Sequence, residues 1–135
     1  RESSAASDVY KRQEVEAIAM QFAMEYETSQ GRTPEDVSEQ NLGYDIKSID
    51  AYEMKRYIEV KGRATTDGVI LSENEWNRLA QLGNKAWLYI VVNCKTTPTL
   101  YRIQNPAERL SFEKMSKGVQ YYLPLEEWQQ KYIKE

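Results

Sequence analysis

The most restrictive feature of the sequence is a run of seven apolar residues over 86–92, Ala-Trp-Leu-Tyr-Ile-Val-Val. Successive side chains of a β-strand point to opposite faces of its sheet, so a strand of this composition is covered on both faces. Sheets covered on both faces by helices are typical of α/β proteins. The run therefore predicts an α/β fold with helices on the faces of the sheet.

Hydrophobic periodicity places the other elements around this strand. Apolar residues recur at helical spacing from Val15 to Tyr26, and a capping-box pair, Ser72 and Glu75, opens a second helix. The polar stretch over 33–41 is predicted to be a loop. In chain order the predicted elements are a helix that begins at Val15 and ends near Gly31, strands over 43–49, 57–63 and 69–71, a helix over 73–82, strands over 86–92 and 100–103, a short helical stretch from Asn105-Pro106, a strand over 119–123 and a helix over 125–133. This α-β-β-β-α-β opening predicts a mixed sheet flanked by helices.

Composition limits the chemistry. The chain has 135 residues, the size of one domain, with no histidine and one cysteine. These counts exclude a Ser-His-Asp triad, His-ligated zinc and an internal disulfide, and they favour a cytoplasmic location. The net charge of −3 argues against a stand-alone DNA-binding protein of high affinity, but not against a nuclease whose acidic site is neutralised by a divalent cation. The sequence contains neither an apolar run of membrane-spanning length nor a recognisable signal peptide, so we expect no membrane partner.

Residues 1–13 are set apart from the rest of the chain. Small residues without periodicity come first, and Asp8–Gln13 resembles the translation of a transposon-end adapter used in sequencing libraries. We interpret residues 1–13 as a non-native or disordered leader, of the kind that read-through in an assembled metagenome leaves, and residues 14–135 as a single domain. A native linker from an upstream domain is the alternative.

Two predicted strands bring three charged side chains together. Asp45 points away from its apolar neighbours on one strand, and Glu59 and Lys61 share one face of the next. Neighbouring strands lie about 4.8 Å apart, so the right register sets Asp45 beside Glu59 with Lys61 in reach. Two carboxylates this close repel each other unless a cation lies between them, and Mg²⁺, which takes oxygen ligands and keeps waters, suits such a site. Lys61 would then orient or deprotonate a water and offset charge on an attacked phosphate.

The Glu-x-Lys spacing alone is weak evidence, because Glu53-Met54-Lys55 repeats it in the predicted turn between the strands. In that turn no alternation fixes the side chains on one face. A solvated cross-strand ion pair between Glu59 and Lys61 therefore stays open as the alternative to a catalytic site.

Three segments together resemble a known domain family. They are 41–48 (Asn-Leu-Gly-Tyr-Asp-Ile-Lys-Ser), 58–63 (Ile-Glu-Val-Lys-Gly-Arg) and 71–76 (Leu-Ser-Glu-Asn-Glu-Trp). They resemble the family named after the C-terminus of the plant protein NO VEIN, over about residues 14–105. That family is similar to the PD-(D/E)xK, or restriction-endonuclease-like, superfamily. The resemblance therefore implies a restriction-endonuclease-like core and a nuclease-like domain over 14–135.

The resemblance also implies a site. Asp45 and Glu59 would be metal-binding carboxylates, Lys61 the catalytic lysine and the Val60 carbonyl a further ligand. A glutamate from the first helix often completes such sites, and Glu16 is our choice. Glu27 is the rival; it lies three turns away, about 16 Å, so only one of the two can reach the metal.

The implied function is hydrolysis of DNA phosphodiester bonds with Mg²⁺, or Mn²⁺ as its substitute, in a restriction, defence or helicase-associated system. DNA is the expected partner and RNA stays open, as do a helicase or other domain upstream and the oligomeric state. Many family members open the first helix with Gly-Glu, where this chain has Val15-Glu16. Because some relatives keep the fold without the chemistry, a non-catalytic module that binds nucleic acid or protein is the alternative function.

Overall fold

The structure is a computed structural model and describes residues 5–114 and 120–133. In chain order its elements are α1 (Ala5–Ser29), β1 (Thr33–Asp36), β2 (Ile46–Ile49), β3 (Lys55–Gly62), β4 (Val69–Ser72), α2 (Glu73–Leu82), β5 (Ala86–Val92), β6 (Thr99–Gln104), α3 (Pro106–Arg109), β7 (Glu113–Lys114), β8 (Gln120–Leu123) and α4 (Leu125–Trp128). Within these residues, no helix combines the length and the apolarity that crossing a bilayer requires.

The main sheet has five strands in the order β1-β2-β3-β5-β6. β3 and β5 are parallel, whereas the other neighbouring pairs are antiparallel. The predicted α/β class with a mixed sheet and flanking helices is confirmed. A second sheet of three strands, in the order β4-β8-β7, was not predicted as a separate layer.

Strand β5 is buried along its whole length, as its composition predicts. Trp87 and Tyr89 pack in one cluster with Ala23 of α1. Leu88 and Ile90 point to the opposite face and pack in another cluster with Leu79 of α2. Two helices therefore cover the two faces of the sheet at this strand, which fixes the faces of the neighbouring β3 as well.

Helix α1 begins earlier than predicted, at Ala5 instead of Val15, and so includes residues 5–13; its end at Ser29 is close to the predicted Gly31. That stretch contains no glycine or proline and several strong helix formers, so it extends a helix that is held by packing further along. The helix ends in a Schellman motif: Gly31 has a φ of +81°, and the Arg32 amide donates to the Glu27 carbonyl at 3.0 Å.

Two predicted elements were wrong in part. Residues 33–36, predicted as loop, form the edge strand β1, in which Thr33 pairs with Ile49 of β2. This strand is polar and contains Pro34, both of which an edge strand tolerates, so it lacks an alternating apolar pattern. The final helix stops at Trp128 instead of reaching residue 133, because the chain turns back and the Ile133 amide donates to the Arg102 carbonyl at 2.5 Å. Val119, the predicted start of the last strand, lies outside the described residues.

Candidate functional site

The site lies where strand β2 begins, beside the second half of β3. Ile46 pairs with Ile58, and the Asp45 amide donates to the Ile58 carbonyl at 2.8 Å. Asp45 therefore stands beside Glu59, the register that the alternation of the two strands requires. Because Ile58 packs against α1, the Glu59 and Lys61 side chains point to the opposite face of the sheet.

The carboxylate of Asp45 also contacts the backbone of β3. Its Oδ2 accepts a hydrogen bond from the Val60 amide at 2.9 Å. Val60 is two residues past Ile58, so its amide and carbonyl face the same side of the strand as those of Ile58, beyond the last residue pair of the hairpin. The carbonyl of Val60, predicted as a ligand, is therefore on the side of β3 that faces Asp45.

Lys61 lies between two glutamates. Its Nζ is 3.4 Å from Glu59 Oε2 and 2.9 Å from Glu75 Oε1. Glu75 belongs to the capping box that opens α2: the Ser72 amide donates to Glu75 Oε1 at 2.9 Å, and the Glu75 amide donates to Ser72 Oγ at 3.1 Å. The capping box was predicted and is confirmed.

Sequence analysis missed Glu75 as a member of the site. Its residue type and position were fully explained by the capping box, so no unexplained residue pointed to a second contact. The available signal was its place in the third segment that resembles the family, residues 71–76.

One pocket of about 440 Å³ joins these groups. Its walls include Glu16, Asp45, Glu59, Val60, Lys61 and Glu75. Glu16 is an exposed residue of α1, so the pocket has walls from α1 as well as from β3 and α2. The structure thus brings all the predicted site residues to one pocket, while their roles in metal binding and catalysis stay predictions.

The rival glutamate, Glu27, lies elsewhere. It is fully buried, and its two carboxylate oxygens accept hydrogen bonds from Arg32 at 2.6 and 2.9 Å. The Tyr89 hydroxyl donates to the same carboxylate at 2.5 Å. Glu27 is thus engaged in a buried network between the end of α1 and β5, and of the two candidates Glu16 is the one that lines the pocket.

Burial changes the proton affinity of both candidate metal ligands. Only 2% of Glu59 is exposed, and burial raises the pKa of its carboxyl well above the ordinary value of 4.5, with a further increase from the Asp45 carboxylate. Burial also raises the pKa of Asp45, although the hydrogen bond from the Val60 amide and the charge of Lys61 oppose this. Both carboxyls are therefore costly to ionise in the metal-free protein, and a bound cation would offset that cost.

The side chains of Lys61 and Glu75 remain charged. Burial alone would lower the pKa of Lys61, but the neighbouring Glu59 and Glu75 carboxylates raise it above its ordinary value. Burial alone would raise the pKa of Glu75, but Lys61 and the Ser72 amide lower it. Lys61 and Glu75 therefore form an ammonium–carboxylate pair at neutral pH.

The donors in the pocket suit one kind of metal better than another. Over residues 5–114 and 120–133, no group of three or more Asp, Glu, His or Cys side chains is arranged to hold an ion. Zinc is typically bound by three or four protein side chains. Mg²⁺ is commonly held by one or two carboxylates with waters completing its shell. Asp45 and Glu59, with the Val60 carbonyl, fit that pattern.

Comparison with known proteins shows to which domain family the chain belongs. No curated protein and no solved structure matches the chain. The family described as "Protein NO VEIN, C-terminal" matches residues 15–103, about two thirds of the chain, including β2, β3, α2 and every site residue named above. This chain therefore belongs to the NO VEIN C-terminal domain family.

Proposed function

We propose that this domain is a Mg²⁺-dependent endonuclease that hydrolyses DNA phosphodiester bonds. The main support is the convergence of a buried carboxylate, a half-buried carboxylate and one ammonium group: Glu59 lies 3.4 Å from Lys61, and Asp45 lines the same pocket. The resemblance to the PD-(D/E)xK superfamily supports DNA as the substrate and a restriction, defence or helicase-associated setting.

Each site residue has a part in this proposal. Asp45, Glu59 and the Val60 carbonyl would hold the ion, and Glu16 would add a further carboxylate to the same pocket from α1. When bound, Mg²⁺ supplies positive charge to the phosphate and lowers the pKa of water. Lys61 remains protonated beside the carboxylates and would donate a hydrogen bond to an oxygen of the attacked phosphate or hold the water in line.

A cleavage assay tests the proposal. Plasmid DNA, linear double-stranded DNA, single-stranded DNA and RNA are incubated with the protein and Mg²⁺ or Mn²⁺. We expect Asp45→Ala and Lys61→Ala to lower the rate of DNA cleavage by at least about 100-fold, the usual scale when a group that stabilises charge in the transition state is removed. Lys55→Ala is the matched control, because Lys55 belongs to the exposed Glu-x-Lys copy and should leave the rate unchanged.

Two results would contradict the proposal. Cleavage that survives both site variants would come from another site or another protein. Cleavage of RNA alone would leave the site in place but assign a different substrate.

Two observations favour the alternative function, a non-catalytic module that binds nucleic acid or protein. Lys61 is already paired with two carboxylates, and the described residues offer no three-side-chain metal group. DNA binding that is equal with and without Mg²⁺, and unaccompanied by cleavage in either metal, would favour this module.

A further inference from the structure

Glu75 reaches Lys61 from an element that the candidate metal ligands do not share. Asp45, Glu59 and Lys61 belong to the β2–β3 hairpin, whereas Glu75 is in the first turn of α2. The contact between Lys61 Nζ and Glu75 Oε1, at 2.9 Å, is shorter than the contact of 3.4 Å between the same Nζ and Glu59 Oε2.

The Glu75 carboxylate is itself held in place. The oxygen that accepts from Lys61 also accepts from the Ser72 amide, at 2.9 Å, and the capping box fixes the backbone of the same turn. Trp76, the next residue, is buried and anchors the turn on the core. A carboxylate fixed in this way offers a long, flexible lysine side chain a charged hydrogen-bond partner at a fixed position.

Glu59 is less suited than Glu75 to hold the Lys61 side chain in position. Its carboxylate is proposed to bind the cation, so the contact with Lys61 would compete with that ligand role. A lysine tethered to Glu59 alone would lose its partner when the site is loaded. Glu75 would keep Lys61 pointed into the pocket in both states.

We propose that Glu75 is the positioning residue for Lys61, so that helix α2 sets the direction of the ammonium group while β3 supplies it. This inference rests on the proposed function for its purpose, but the contact itself can be tested without any cleavage.

The test measures how accessible the Lys61 amine is. The metal-free protein is treated with an amine-acylating ester, and the labelling rate at Lys61 is followed by peptide mass spectrometry. Glu75→Gln keeps an acceptor for the Ser72 amide, since glutamine also serves in a capping box, but removes the charge that holds Lys61. We expect labelling at Lys61 to rise at least about fivefold, because a hydrogen bond between charged groups is lost.

Two controls separate positioning from a loosened helix. Glu73→Gln removes an exposed carboxylate from the same turn, and Ser72→Ala removes the cap hydroxyl while leaving the Glu75 carboxylate in place. Both should leave Lys61 labelling within about twofold of the wild-type rate. Unchanged labelling in Glu75→Gln, or an equal rise in Ser72→Ala, would overturn the inference.

Kinetics then connects the contact to function. If Glu75 positions Lys61, Glu75→Gln lowers kcat for DNA cleavage by about tenfold or more and changes KM by less than about twofold. A change in KM alone would overturn the positioning role. Raised Lys61 labelling in a protein that cleaves nothing would support the positioning contact and reject the proposed endonuclease, so the two failures are distinguishable.

Discussion

The carboxyl of Glu59 lines the candidate site, but its ionised form lowers the stability of the metal-free fold. It is 2% exposed, and its closest positive charge, Lys61, is shared with Glu75. Burial raises its pKa well above 4.5, so the folded protein binds a proton at Glu59 more tightly than the unfolded chain does. The favourable contribution of the protonated form is therefore complete below pH 4.5 and is lost as the pH rises through the raised pKa.

We predict that Glu59→Gln stabilises the metal-free protein. Glutamine keeps the shape and stays neutral, so it avoids the cost of ionising a buried carboxyl. Near pH 8 we expect the free energy of unfolding to rise by about 1 kcal/mol, which moves the thermal midpoint by roughly 4 °C. The gain should shrink as the pH is lowered toward 4.5.

Thermal melts of wild type and Glu59→Gln across this pH range, with chelator present, check the prediction. Glu53→Gln is the matched control, because Glu53 is exposed and its melts should follow wild type at every pH. A midpoint for Glu59→Gln below that of wild type at all pH values would mean that the ion pair with Lys61 outweighs the cost of burial.

At the scale of single residues, alternation along the strands was sufficient to predict the main contacts of the site. The period of two places Glu59 and Lys61 on one face, and Asp45 beside them, without any knowledge of the rest of the fold. It could not predict Glu75, whose contact with Lys61 depends on how the segment between β3 and α2 returns to the sheet. Nor could it choose between Glu16 and Glu27, because that choice depends on where α1 crosses β3.

At the scale of elements, Gly62 determines how closely α1 approaches β3. A Cβ added at this position would lie 2.7 Å from the Ala19 Cβ and 3.1 Å from the Val15 carbonyl oxygen. The first contact is shorter than real Cβ atoms make, and the second, which is with backbone, is tighter than nine in ten of their contacts. The glycine therefore allows the close crossing that brings Glu16 to the pocket wall.

We accordingly predict that Gly62→Ala displaces α1. Overpacking of this kind costs about 1–3 kcal/mol of the free energy of unfolding, which urea denaturation measures. Cleavage should fall by more than the loss of folded protein explains, since Glu16 moves away from the other carboxylates. Wild-type stability together with wild-type cleavage would contradict the close crossing.

The accuracy of the sequence-based predictions differed between elements according to what stabilises each one. β5 and α2 were predicted well, because an all-apolar run and a capping box specify their own structure locally. β1 is a polar, mostly exposed edge strand, and its extended form depends on its pairing with β2. The end of α4 depends on the contact of Ile133 with β6, which is distant in sequence. The second sheet likewise depends on pairing between β4 and β8, some fifty residues apart.

At the scale of the whole molecule, the mixed sheet explains why the pocket lies where it does. The antiparallel hairpin ends at the Ile46–Ile58 pair, while the parallel pairing of β3 with β5 continues to Gly62. β3 therefore extends past its neighbour on one side only, and its carboxylate and lysine are reached from that side by α1 and α2. We propose that this open edge of β3 holds a divalent cation.

Binding of Mn²⁺, followed by electron paramagnetic resonance of the unbound ion, tests that claim most directly, since Mn²⁺ can stand in for Mg²⁺ at oxygen-donor sites. Wild type and Glu53→Gln should each remove Mn²⁺ from solution at a stoichiometric site, and Asp45→Asn and Glu59→Gln should weaken that binding by at least about tenfold. Equal binding by all four proteins, or none by wild type at millimolar Mn²⁺, would contradict the account.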